Sequence, residues 1–288
     1  MPPTKVVPIP VMGRHNINAY LLLGRRPVLV DAGTPGSGRL IRDRIAAHGV
    51  DPADLALIVL THGHIDHFGS AAELHRLTGA PVAGHVADLG PYRTGRVREP
   101  YLPTGPMGRL MARNPKLHVR AEPIEPQVLV RGESDLADFG VAARIVPTPG
   151  HTAGSVSVLT DGGDLVAGDL IANSFFGLVR GRPANPPFHD DPLANLTSLR
   201  AMLALGPTAL HVGHGTALDP DPVRRWADRE QRRLTRRAAS GRLRTRTAAE
   251  AGTGTETGSG TGTEAGAGAG TGTEAGAGAG TGTGTGAG

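Results

Sequence analysis

Short apolar runs alternate with stretches of helical spacing along most of the chain. Residues 18–23 and 27–31 read as two strands joined by a Gly24-Arg25-Arg26 turn. Residues 37–48 have helical spacing, with Leu40, Ile41, Ile45 and Ala46 on one face and Gly49 as the stop. The run 55–60 is a buried strand. A second helix over 68–77 turns Leu74 and Leu77 inward, and 81–84 is a further buried strand. Beyond position 127 the pattern predicts strands at 128–130, 141–146, 156–159 and 165–169. A helix over 193–205 then leads to a strand at 209–214. Strands alternating with helices predict a layered α/β domain.

Two segments break the pattern. Residues 91–127 hold seven prolines, scattered glycines and only brief apolar pairs, which favours a lid or insertion near a functional edge. From about Gly252 the chain is almost wholly Gly, Thr and Ala, and a ten-residue repeat beginning at Glu264 restarts at Glu274. With no large apolar side chain to offset ordering entropy, 250–288 is expected to be a disordered tail. The folded domain is therefore expected over 1–222, followed by a basic helix at 223–249 with Val223, Trp226, Ala227 and Leu234 on one face.

Composition narrows the reading. The chain of 288 residues has no cysteine, so disulfides and thiolate metal sites are excluded. Its first residues are too rich in proline for a secretory segment, and no window reaches the ~18 apolar residues of a membrane span. A cytoplasmic protein without a membrane partner is the expectation. The net charge of +4 is uneven: ten arginines fall between Arg224 and Arg246, against Asp228 and Glu230. Such a segment is either an amphipathic helix with arginines in solvent or a contact for a phosphate backbone. It lacks the interleaved aromatics of a base-stacking surface, so a nucleic-acid partner is disfavoured.

The candidate chemistry gathers at strand ends. The run 55–60 delivers Thr61-His62-Gly63-His64-Ile65-Asp66-His67, four metal-capable side chains within six positions. That mixture of nitrogen and oxygen donors suits zinc and related divalent ions. Without a cation, such crowding is costly through repulsion and desolvation. Later strands end in Gly150-His151-Thr152, Gly168-Asp169 and Gly213-His214-Gly215. Asp31, closing the second strand, is either an ordinary turn residue or a partner orienting a ligand histidine from behind. The glycines at 33, 36 and 38 match neither a Walker loop nor a dinucleotide fingerprint.

The ordered set Thr61-His-x-His-x-Asp-His67, Gly150-His151-Thr152, Gly168-Asp169 and Gly213-His214-Gly215 resembles the metallo-β-lactamase-fold hydrolases, from about residue 18 to 215. The resemblance implies a four-layer αββα sandwich with a metal site along one edge. It assigns His62, His64 and His151 to one metal and Asp66, His67 and His214 to a second, with Asp169 bridging. Asp66 and Asp169 are then the catalytic candidates, Asp66 shuttling a proton to the leaving group. Two divalent ions, Zn2+ first and Mn2+ or Fe2+ as alternatives, would sit ~3.5–4 Å apart and turn a shared water into hydroxide near neutral pH.

An aspartate at 169, where secreted β-lactamases of the fold carry cysteine, points to the thioesterase, lactonase and phosphodiesterase branch. His64 stands where oxygen-reducing relatives carry an acid, which disfavours redox chemistry. The expected function is hydrolysis of a small-molecule ester, thioester or lactone; the alternative is a phosphodiesterase or nuclease. A nucleic-acid-binding protein with a vestigial centre would need a missing ligand, and none is missing. Among the other histidines, His48, His75 and His118 read as surface residues. His85 and His211 read as hydrogen-bonded core residues. His15 precedes the first core strand and His189 follows the Phe175-Phe176 loop expected to border the site; substrate contact by either histidine, or a pocket wall from either phenylalanine, is the less favoured reading.

Overall fold

Alternation along the strands sorts side chains into separate cores, and those cores define the layers. The computed structural model describes residues 3–13, 15–114, 119–174, 179, 181–243 and 245. His118, Phe175, Phe176 and the tail 250–288 lie outside the described residues. The chain divides into units Met1–Gly254 and Thr255–Gly288, and everything described below belongs to the first.

The first sheet orders β1 (Lys5–Met12), β2 (Ile17–Leu23), β3 (Val28–Val30), β4 (Leu57–Val59), β5 (Val82–His85) and β6 (Val128–Val130). The first two pairings are antiparallel and the remaining three parallel. The second sheet places β13 (Ala209–Val212) beside β10 (Asp164–Gly168), then β9 (Val156–Thr160), β8 (Ala143–Pro147) and β7 (Ser134–Asp135). Only its β13–β10 pairing is parallel. A two-stranded ribbon joins β11 (Ala172–Asn173) to β12 (Pro183–Ala184).

On the first sheet, Leu21, Leu29 and Ile58 face α1 (Gly38–Ala47) and α3 (Ala71–Thr78), packing with Ile41, Ile45 and Leu74. Their strand neighbours Leu22, Val28, Val30, Leu57 and Val59 point the other way and meet Ile145, Val156, Val158 and Val166 of the second sheet. Beyond that sheet, Leu165, Leu210 and Val212 pack with Leu199 and Leu203 of α6 (Pro192–Ala204). Val223, Ala227 and Leu234 of α7 (Pro220–Ala239) join the same core. The order is helix, sheet, sheet, helix: the αββα sandwich.

Four local expectations differ from the structure. The helix expected over 68–77 is two pieces, α2 (Ile65–Phe68) and α3. A side chain at Gly69 would meet Pro35 and the Ile65 carbonyl, and the Ser70 hydroxyl donates to Thr34 O at 2.6 Å and accepts from Ser37 N at 2.8 Å. The chain is thus pinned to the neighbouring turn exactly where a straight helix would leave it — at Phe68, which is fully buried and whose truncation to Ala would cost about 3–5 kcal/mol. Of the four apolar residues expected on the inner face of α1, Ile41 and Ile45 are buried, whereas Leu40 and Ala46 face solvent. The proline-rich stretch 91–127 is not all excursion: Tyr92, Val97, Ala121 and Ile124 are buried in the first core, and α4 (Leu89–Thr94) and α5 (Pro106–Met111) lie within or beside it. The basic helix runs over Pro220–Ala239, shorter than the expected 223–249. No described helix is long and apolar enough to cross a membrane.

Candidate metal centre

Five strand ends supply the site. β3 leads to Asp31, β4 to the Thr61–His67 segment, β8 to His151, β10 to Asp169 and β13 to His214. All seven expected residues come together. Potential ligand atoms of His62, His64 and His151, of His62, His67 and Asp169, and of Asp66, His67 and His214 each lie within 4.8 Å of one another.

In the first trio, His151 Nε2 stands 3.1 Å from His62 Nε2 and 3.0 Å from His64 Nδ1. Nitrogens bound tetrahedrally to zinc at ~2.0–2.1 Å would stand ~3.3 Å apart, so this spacing fits a common cation. The outer nitrogens are already engaged. His62 Nδ1 lies 3.0 Å from Thr61 Oγ1, and His151 Nδ1 lies 3.0 Å from the Phe188 carbonyl, which can only accept. With the proton on those outer nitrogens, the Nε2 lone pairs face each other, an arrangement that calls for a cation between them. Burial and the neighbouring imidazoles hold His62 and His151 well below the usual histidine range, and burial lowers His64, so the trio is neutral at pH 7.

The second trio has the opposite character. His67 Nδ1 donates to Asp31 Oδ2 at 2.7 Å, which aims Nε2 inward. Asp31 is buried and holds φ 67°, an unusual conformation outside glycine. It also accepts from Thr61 N at 2.8 Å and from Thr61 Oγ1 at 2.8 Å, so one carboxylate steadies both His67 and the start of the histidine loop. Of its two sequence readings, the orienting partner is the one the structure bears out. His214 Nδ1 is 2.5 Å from Asn16 O, and its Nε2 is 3.3 Å from Asp66 Oδ2 and 3.2 Å from Asp169 Oδ2. Burial opposes charge on His67, but Asp31, Asp169 and Asp66 outweigh it and push its pKa up to about 9. His214 is raised in the same way against burial, chiefly by Asp169. Asp66 and Asp169 stay ionised despite burial, because the charges on His67 and His214 hold them well below the carboxylate range.

Asp169 lies between the trios, with Oδ1 3.4 Å from His67 Nε2 and Oδ2 3.6 Å from His151 Nε2. His67 Nε2 and Asp169 Oδ1 are buried and have no hydrogen-bond partner among the described residues. Two orphaned donor-set atoms at the centre of the cluster are what a bound cation would satisfy. The approach is close. A side chain at Gly213 would put its Cβ 2.4 Å from Asp169 Oδ1, so the strand leading to His214 requires glycine there.

One supporting residue carries no motif. Asp88 is buried at the start of α4 and accepts from Gly63 N at 2.8 Å, Thr152 Oγ1 at 2.6 Å and Gly154 N at 3.0 Å. It ties the His62–His64 turn to the loop bearing His151; only its position just after a strand could have hinted at this. Among the other histidines, His211 is bonded to Asp164 at 2.8 Å and His85 accepts from Ala87 N, so both are hydrogen-bonded as expected, but both are half-buried rather than in the core. His48 is exposed, but His75 is half-buried, 2.7 Å from Ala80 O, a correction to its surface reading. His15 contributes its carbonyl to Gly215 N. His189 is buried beside His151. A cavity of about 270 Å³ adjoins His214, walled by Thr104–Gly108, by 184–187 and by Arg233 of α7.

Residues 12–214 match the model of the metallo-beta-lactamase superfamily, and the chain belongs to that family as a metallo-hydrolase. It is 29% identical over 236 residues to a hydroxyacylglutathione hydrolase of Anaeromyxobacter dehalogenans (strain 2CP-C), covering 73% of this chain and 77% of that relative. It is 31% identical over 200 residues to the probable metallo-hydrolase YflN of Bacillus subtilis (strain 168), covering 65% and 75%. Among solved structures, TTHA1623 in a di-iron-bound form is similar, with a TM-score of 0.52, 27% identity and coverage of 75% and 96%. Membership of this family implies divalent metal ions, and the donor set and orphaned atoms fit them.

Proposed function

We propose that the protein is a dinuclear-metal-dependent hydrolase of a small-molecule ester, thioester or lactone. The cavity beside His214 carries this reading. At about 270 Å³ it is at the small end of ligand pockets, and its walls combine small and apolar residues such as Pro106, Met107 and Ala172 with Asn173, Asn185 and one arginine. Such a space suits a compact acyl compound.

His62, His64 and His151 would hold the first ion and Asp66, His67 and His214 the second, with Asp169 placed to serve both. Such ions would lower the pKa of a bound water from 15.7 toward ~7 and polarise the scissile carbonyl. Asp31 keeps His67 fixed with its inner nitrogen presented, and Thr61 does the same for His62. Asp66, whose side chain keeps 35% exposure at the edge of the cluster, is the carboxylate placed to pass a proton to the departing oxygen or sulfur. Residues 104–108 and 184–187 form two walls of the space beside His214 in which a substrate would lie.

The relative named hydroxyacylglutathione hydrolase makes a thioester the first substrate class to test. The phosphodiester alternative draws on Arg233, which walls the cavity, and Arg237, which lines a smaller one beside His189, but Arg233 is ion-paired to Glu230. A turnover screen on metal-loaded protein separates the two. Thioester, ester and lactone substrates are expected to exceed bis-nitrophenyl phosphate and RNA by at least about tenfold in kcat/KM, a barrier difference of about 1.4 kcal/mol. Preferred phosphodiester cleavage that falls with salt would overturn the assignment.

A further inference from the structure

His189 and Glu230 are buried polar residues outside the seven-residue cluster. His189 is 1% exposed, in the loop before α6, and Glu230 is 7% exposed on the inner face of α7. A carboxylate placed among Val223, Ala227 and Leu234 is costly unless its charge is engaged. Arg233 engages both of its oxygens, Nε to Oε2 at 2.7 Å and Nη2 to Oε1 at 2.5 Å. Asn185 Nδ2 also donates to Oε1, at 2.8 Å. Asn185 Oδ1 in turn lies 3.3 Å from His189 Nε2, and His189 Nδ1 lies 3.2 Å from His151 Nδ1.

The proton positions along this chain follow from its ends. Glu230 can only accept, so Asn185 presents its amide nitrogen there and its oxygen to His189. That oxygen needs a donor, which places the His189 proton on Nε2 and leaves Nδ1 as a lone pair. His151 Nδ1 carries the proton that goes to the Phe188 carbonyl, and the same N–H faces His189 Nδ1. Every donor therefore points toward Glu230, and every step returns electron density toward His151 Nε2.

We infer that Glu230, Asn185 and His189 form a hydrogen-bonded relay from the C-terminal helix to His151, positioning that ring and strengthening it as a metal ligand. The inference rests on the reading of His151 as a ligand. A carboxylate behind a ligand histidine fixes its tautomer and raises its basicity. Here the carboxylate acts from two residues further away, and the Phe188 carbonyl shares the final donor. The basic helix thus acquires a role that its arginine content did not suggest. Asn185 and Arg233 also wall the cavity beside His214, so the relay and the substrate space share residues.

Cobalt(II) titration of the metal-free protein, followed by visible d–d absorption and chelator competition, tests the relay. His189→Leu fills the space without an acceptor and is expected to weaken one of the two cobalt sites by about 10–100-fold, with altered bands for that site. His189→Asn restores an acceptor near the Nδ1 position and should return affinity to within about threefold of wild type. Asn185→Ala, at the half-buried cavity wall, breaks the chain in its middle and should shift the same bands in the same direction. Glu230→Gln, which removes only the charge, should do so more weakly. If His189→Leu does not fold, Asn185→Ala and His189→Asn decide. Wild-type protein that takes up no cobalt overturns the metal reading and the relay with it. Two ions bound with unchanged affinity and spectrum in His189→Leu and Asn185→Ala overturn the relay alone.

Discussion

The two trios of the cluster use the same fold edge to opposite electrostatic ends. His62, His64 and His151 are neutral imidazoles with their lone pairs turned toward one point. Asp66, His67 and His214 combine a carboxylate with two histidines that neighbouring carboxylates keep protonated. In the first trio a cation would relieve lone-pair repulsion; in the second, protons now do part of a cation's work. The first half is thus ready for metal at neutral pH, whereas the second must trade protons for it. Asp169 belongs to both, which makes it the residue on which the comparison turns.

Removing that shared carboxylate should have the largest effect. Asp169→Ala is expected to lower metal content below two ions per chain and turnover by at least about 10³-fold, a loss of several kcal/mol of charge stabilisation. Metal analysis beside the rate assay checks this, and two ions with full activity would dissociate Asp169 from bridging. A narrower change is Asp31→Asn, which keeps a residue tolerant of positive φ but removes the charge facing His67. Affinity at the second site should fall about 10–100-fold by chelator competition. The first should fall much less, because Asp31 reaches His62 only through Thr61.

Asp88→Ala attacks the other half. It leaves Gly63 N, Gly154 N and Thr152 Oγ1 without their acceptor and should cost at least about 2 kcal/mol in denaturant unfolding. It should also weaken the trihistidine site first; loss at the second site alone would reverse the assignment. The smallest signal is proton release. At pH 7.5 His67, its pKa pushed up to about 9, and His214, raised well above the usual histidine range, must shed protons to bind metal, whereas His62, His64 and His151 have none to shed at the inner nitrogens. Calorimetry in buffers of different ionisation enthalpy should therefore show more protons released by the second ion than by the first. The share from His67 should fade as pH rises past about 9; equal release at both sites at pH 7.5 would erase the contrast.

The same contrast explains what was legible in the sequence. His62, His64, Asp66 and His67 fall within six positions, so one strand end displays them together. His151, Asp169 and His214 were legible only as an ordered set, each at the end of an apolar run. Asp88 and Asp31 are isolated aspartates after strands, and what they touch depends on loops that are distant in sequence. β1 escaped notice because Pro8 and Pro10 interrupt it, although Val7, Ile9 and Val11 alternate inward. It pairs only with β2 at the sheet edge, where proline is tolerated. The break at Gly69 and Ser70 was hidden for a related reason: helical spacing continues through it, and only the contacts to Pro35, Thr34 and Ser37 interrupt the helix.

Anomalous diffraction from a crystal of the metal-loaded protein is the most direct test of the central claim. Two peaks are predicted, one among His62, His64 and His151 and one among Asp66, His67 and His214, with Asp169 between them. A single peak, or ions bound elsewhere while this cluster stays empty, would contradict it.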